Sequence, residues 1–218
     1  MPFVAHHRPA YSRAEQLSDA IVHVTGLVLV LLAIPVLIVV TALLRGDAPS
    51  LVGVSVYAAA MLAMIACSAL YNMTPGAALA WLYRRLDHAA IYIKIAGTYT
   101  PFTLISGHGL ALTAGVWGAA ALGVALKIAS PDRFRWLALA LYLGMGWVGL
   151  LAGQALIAAL PMPVLILMVM GGVLYTAGVG FYLWVRLPFH YTIWHIFVLT
   201  ATFLFYAAVI TLVVLGTG

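Results

Sequence analysis

The chain has 218 residues, of which 66% are hydrophobic and only 7% charged, with a net charge of +5 and a mean hydropathy of +1.14. A soluble domain is about 25% charged, so this composition excludes a soluble enzyme, a disordered chain and a secreted disulfide scaffold. It leaves an all-α integral membrane protein. Cys67 is the single cysteine, which excludes an internal disulfide and a cysteine-based metal knuckle. The basic residues never cluster beyond two in a row, a pattern that fits anionic lipid headgroups rather than nucleic acid.

In chain order, a polar segment over 1–16 shows no short apolar core and small-residue cleavage site, so it does not read as a signal peptide. His6 and His7 in it receive no role. Seven apolar runs follow over 17–44, 51–73, 88–106, 110–128, 136–158, 164–185 and 192–215. They predict a seven-helix transmembrane domain over 17–215. The first run holds Pro35 and is expected to kink or tilt, and the third contains Lys94 and Pro101. The separators are rich in Gly, Pro and charge, as in 45–50, 106–109 and 130–133.

Seven spans put Arg8, Arg13, Arg84, Arg85, Lys127, Arg133, Arg135 and Arg186 on one face and Arg45 alone on the other. By the positive-inside rule the N-terminus is then expected in the cytoplasm and the C-terminus outside.

Polar side chains inside an apolar bundle are costly, so each needs a partner or a task. Glu15, Asp19 and His23 fall at i, i+4 and i+8 on one face of the first helix, and Ser68 and Asn72 at i and i+4 on the second. The third helix starts with Asp87 and His88 and carries Lys94 about 10 Å deeper. The seventh starts with His190, Tyr191 and His195. All are expected in one leaflet, around a cytoplasm-facing cavity. Met and aromatic residues elsewhere, such as Met61, Trp117 and Trp136, read as packing and interfacial belts.

Several segments carry a resemblance: Glu15-x3-Asp19-x3-His23, Ser68-x3-Asn72, LDHAAIYIKIAGTYTPF over 86–102, Gly144-Met145-Gly146-Trp147, Gly171-Gly172-Val173-Leu174-Tyr175 and Ile193-Trp194-His195. In these the chain resembles the bacterial hemolysin III proteins, which are related to the progestin and adipoQ receptors and, more widely, to alkaline ceramidases. The resemblance implies a multi-pass protein of the bacterial inner membrane with seven helices and a zinc site. The positions equivalent to the family's zinc ligands are Asn72, Tyr191 and His195, of which only His195 keeps a histidine. A further histidine found in many hemolysin III proteins falls on Phe205 here. Asp87, Ser68 and His23 keep the family pattern.

An Asn carbonyl and a neutral phenol are poor zinc donors, so the expectation is a degenerate site with no tight metal. Asn72, Tyr191 and His195 would then hydrogen-bond to one another, with zinc as the alternative if Asp87, His195 and one of His23, His88 or His190 rebuild a ligand set. The expected function is a non-catalytic or regulatory part in membrane and lipid homeostasis. The first alternative is a zinc-dependent hydrolase of lipid amides or esters, with Asp87, Ser68 and His195 as its catalytic groups. The second is a proton or ion pathway through Asp19, His23, Asp87, Lys94 and His195. Ser68 shows no paired base in the sequence, and the expected partners are membrane lipids.

Overall fold

A computed structural model describes residues 11–74, 76–130 and 134–217. The tail with His6, His7 and Arg8, Pro75, the turn with Pro131, Asp132 and Arg133, the Arg135 side chain and Gly218 lie outside the described residues. The chain forms α1 (Arg13–Leu44), α2 (Ala48–Met73), α3 (Ala80–Ser106), α4 (Leu110–Ala129), α5 (Arg135–Ala152), α6 (Gln154–Ala159), α7 (Met162–Leu183) and α8 (His190–Leu215).

The expected seven-span fold class is corrected on its count. Among the described residues five helices, α1, α2, α4, α7 and α8, are long and apolar enough to cross a membrane. α3 has the length but not the hydropathy, because it combines Arg84, Arg85, Asp87 and Lys94 with a run of Thr and Tyr residues. The run 136–158 is divided at Gly153, leaving the apolar stretch Trp136–Leu151 and the six-residue α6. Gly153 donates its N–H to the Gly149 carbonyl at 3.0 Å, and a Cβ there would lie 2.2 Å from that oxygen. The break therefore depends on a residue without a side chain. The two-sided assignment of the basic residues depended on seven spans, and it is withdrawn with them.

α3 runs through the interior, against α2, α4, α5, α6 and α8. Its hydroxyls are satisfied mostly at home: Thr98, Thr100 and Thr103 each donate to the carbonyl four residues back, at 2.7, 3.1 and 3.2 Å. Two of its tyrosines reach α5, with Tyr92 donating to the Ala138 carbonyl at 3.0 Å and Tyr99 to the Met145 carbonyl at 2.9 Å. The sheath around it turns apolar side chains outward, as at Leu43, 78% exposed, and Leu151, 80% exposed. Lipid, not water, is the solvent in which such a surface is stable.

Close helix contact along α3 is made possible by glycine, as at Gly97 and Gly123. A Cβ on Gly97 would stand 2.6 Å from the Ala60 Cβ, and one on Gly123 2.3 Å from the Tyr92 ring.

α1 and α8 run parallel, tied along their whole length. Ser12 caps α1 in a capping box with Glu15, whose other carboxylate oxygen accepts the Phe189 N–H at 3.0 Å where α8 begins. Ser18 meets Thr192 at 2.9 Å, and Tyr206 donates to the Ala33 carbonyl at 2.9 Å. At the far end Arg45 donates to the carbonyls of Val213 and Leu212 at 2.9 and 3.1 Å. Its charge thus sits on the last turn of α8, where it complements the helix dipole.

Gly97→Val is expected to lower stability by about 1–3 kcal/mol through overpacking. Gly115→Ala, where an added Cβ meets no atom within 4 Å, should be close to neutral. Thermal unfolding of the purified protein in detergent measures both.

Candidate functional site

α1 begins, α2 ends and α8 begins at one end of the bundle, as the bonds from Glu15 to Phe189 and from His23 to Ser68 show. Here Asp19, His23 and His195 bring one carboxylate and two imidazoles together, with a donor atom from each lying within 4.8 Å of the others. Asp19 and His23 share a face of α1 through the i, i+4 spacing, and parallel packing of α8 adds His195.

The hydrogen bonds fix who carries which proton. His23 Nδ1 lies 2.8 Å from the Asp19 backbone carbonyl, which can only accept, so Nδ1 bears the hydrogen. In a neutral imidazole Nε2 is then the acceptor, and the Ser68 hydroxyl stands 3.1 Å from it. Asn72 donates its amide to the Ser68 carbonyl at 3.0 Å and to the Ser68 hydroxyl oxygen at 3.3 Å. His195 Nδ1 lies 2.5 Å from Asp19 Oδ1, a charge-assisted bond that orients the ring and leaves Nε2 as its open nitrogen. The His23 and His195 rings meet edge to face with centroids 4.4 Å apart. A single chain of donors and acceptors thus runs from Asn72 through Ser68, His23 and Asp19 to His195.

A cavity of about 220 Å³ opens beside this chain, and its walls include His23, Ser68, Asp87, His88, Lys94, Tyr191 and His195. Apolar side chains such as Met64, Phe102 and Leu156 form much of the rest. Asp87 is 8% exposed. Lys127, read in the sequence only as a surface charge, is also 8% exposed and stands in the same wall.

Other residues fall differently from their sequence expectation. Asn72, Tyr191 and His195 do not bond to one another. Asn72 is turned onto Ser68 and His195 onto Asp19, while Tyr191 meets His195 by ring edge at 4.6 Å and stacks on Tyr11 at 5.9 Å. His190 is 4% exposed but lies off the cavity wall, its Nε2 3.4 Å from the Tyr11 hydroxyl. His88 meets the Tyr71 ring edge with centroids 6.2 Å apart. Ser68, which had no evident base in the sequence, has His23. Phe205 packs into the space left by Gly171, where a Cβ would come within 2.7 Å of its ring.

The Asp19–His195 pairing escaped sequence reading because its partners are 176 positions apart. The visible signal was the i, i+4, i+8 series on α1, which marks a polar face requiring an answer from another helix. Removing Asp19 and His195 singly and together should reveal a coupling of about 1.5–3 kcal/mol, the size of a charge-assisted hydrogen bond. Unfolding of Asp19→Ala, His195→Ala and the double variant would measure it.

The model for haemolysin-III related proteins matches residues 11–206 of this chain. A hemolysin-3 homolog of Bacillus subtilis is 38% identical over 190 residues, covering 85% of this chain and 88% of that protein. The hemolysin-3 of Bacillus cereus is 36% identical over 188 residues, covering 85% of each. With its lipid-facing apolar helices the molecule is a bacterial multi-pass membrane protein. The chain belongs to the hemolysin III family.

Proposed function

We propose that this protein is a membrane-embedded metalloprotein of lipid homeostasis, with a divalent metal held by Asp19, His23 and His195, and that it hydrolyses a lipid amide or ester. The observation that carries this reading is the convergence of those three side chains beside an apolar cavity. The wider relation that the motif resemblance implies, from hemolysin III proteins to alkaline ceramidases, supports the choice of reaction class.

Two sets of side chains at this end of the bundle could face a zinc ion. Asn72, Tyr191 and His195 do not fit: an Asn carbonyl and a neutral phenol are poor zinc donors, and His195 is turned onto Asp19 rather than toward the other two. Asp19, His23 and His195 do fit. Two imidazoles and a carboxylate are a donor set zinc favours, and tetrahedral ligands stand about 3.3 Å apart, so a spread of 4.8 Å closes with small side-chain rotations. The proton now shared between Asp19 and His195 is the one an ion would displace. A bound ion supplies Lewis acidity, polarising a carbonyl and making water more acidic.

The chain's own groups supply the rest. Asn72 donates to the Ser68 hydroxyl oxygen, and the Ser68 hydrogen, freed once His23 Nε2 holds an ion instead of accepting it, can donate to a carbonyl oxygen in the cavity. Asp87 on the wall is placed to accept and return a proton. The apolar walls receive an acyl chain and exclude water.

A second reading has its own support: the chain from Asn72 to His195 is complete without an ion. That favours a metal-free regulatory protein.

Protein purified without a histidine tag is expected to carry about one equivalent of zinc, lost in Asp19→Ala and His195→Ala and retained in Asn72→Ala. Elemental analysis with an assay of fatty-acid release from ceramide and lysophospholipid tests both parts. No zinc in wild type after growth in supplemented medium would overturn the metal and leave the regulatory reading. Zinc without release of fatty acid would overturn the hydrolase.

A further inference from the structure

Lys94 takes no part in the proposed hydrolysis, yet it is only 3% exposed and lies in the interior of an apolar bundle. Its Nζ donates to Thr98 Oγ1 at 2.8 Å, and the Thr98 hydroxyl hydrogen goes to the Lys94 carbonyl at 2.7 Å. The remaining flanks of the ammonium face rings, with Tyr57 at 4.7 Å and Phe205 at 5.8 Å from their centroids. Among the described residues no carboxylate pairs with it. Asp87, on the same helix face, is seven residues away, about 10 Å along the axis.

Ring faces and one hydroxyl hold a cation in place, but they carry no countercharge. An unpaired cation buried in hydrocarbon is costly, and an anion that reaches it recovers that cost. Lys94 is reachable, because it stands in the wall of the 220 Å³ cavity together with Phe102, Leu156, Leu160 and Met168. A ligand satisfying both features has one negative head and an apolar tail.

We infer that Lys94 and Thr98 form a binding site for the carboxylate of a single-chain fatty acid, whose tail lies along the apolar cavity wall. The carboxylate accepts from the ammonium hydrogens that Thr98 does not take, and the Tyr57 and Phe205 rings keep the lysine pointed inward. The site is separate from the Asp19–His23–His195 cluster and stands whether or not that cluster holds a metal.

The test is fluorescence binding of cis-parinaric acid to the full chain in detergent, beside its methyl ester and an alkyl phosphate of equal chain length. Wild type is expected to bind the acid at least tenfold more tightly than the ester. Lys94→Met should lose that preference, and Asp19→Ala should keep it. Equal binding of acid and ester by wild type would overturn the inference, as would undiminished binding of the acid by Lys94→Met. Tighter binding of the alkyl phosphate than of the acid would overturn the carboxylate as the ligand. Should Lys94→Met fail to fold, the acid-against-ester comparison on wild type decides alone. Loss of zinc in Asp19→Ala with the acid preference intact separates this site from the metal reading.

Discussion

Polar atoms inside this bundle have to find partners without water, a demand met at all but a few buried atoms such as the Tyr57 hydroxyl and His190 Nδ1, and it shapes the molecule more than any single apolar contact. Hydrocarbon offers no hydrogen bonds, so an unpaired group costs several kcal/mol. α3 answers by bonding its threonines to its own backbone and its tyrosines to the carbonyls of α5. The arrangement explains why the least apolar long helix lies innermost while the most apolar ones face outward. Arg45 on the last turn of α8 and Glu15 at the first obey the same demand at the two ends.

Most helix boundaries were legible because Gly, Pro and charge punctuate apolar runs. The runs over 17–44, 110–128 and 192–215 correspond closely to α1, α4 and α8. The number of spans was not legible in the same way. Run-counting treats each apolar stretch alike, whereas Lys94 and its Thr and Tyr neighbours make α3 a helix suited to protein surroundings. Gly153 was an ordinary residue of an apolar run until the fold showed the backbone turning there.

In the site, the sequence marked Asp19, His23, Ser68, Asn72, Asp87 and His195 as polar residues lacking an evident reason. Depth along each helix could be counted, but rotation about the axis and pairing across helices could not. Asn72 illustrates the difference: read against the family pattern it is a lost ligand, while in the fold it holds the Ser68 hydroxyl that faces His23. Lys94 is the opposite case. Its burial was foreseeable, but its surroundings of two rings and a hydroxyl depend on Tyr57 and Phe205 arriving from α2 and α8.

The rungs joining α1 to α8 fall at 15 with 189, 18 with 192, 19 with 195, 33 with 206 and 45 with 212 and 213. The first four keep offsets of 173 to 176 residues, while Arg45 reaches back at offsets of 167 and 168, so sliding one helix past the other by a single turn would break the first four together. The two helices are consequently held to one another from end to end. α5 touches α7 only sparingly and ends at the glycine bend, so that wall of the chamber is tied by fewer contacts than the α1–α8 wall.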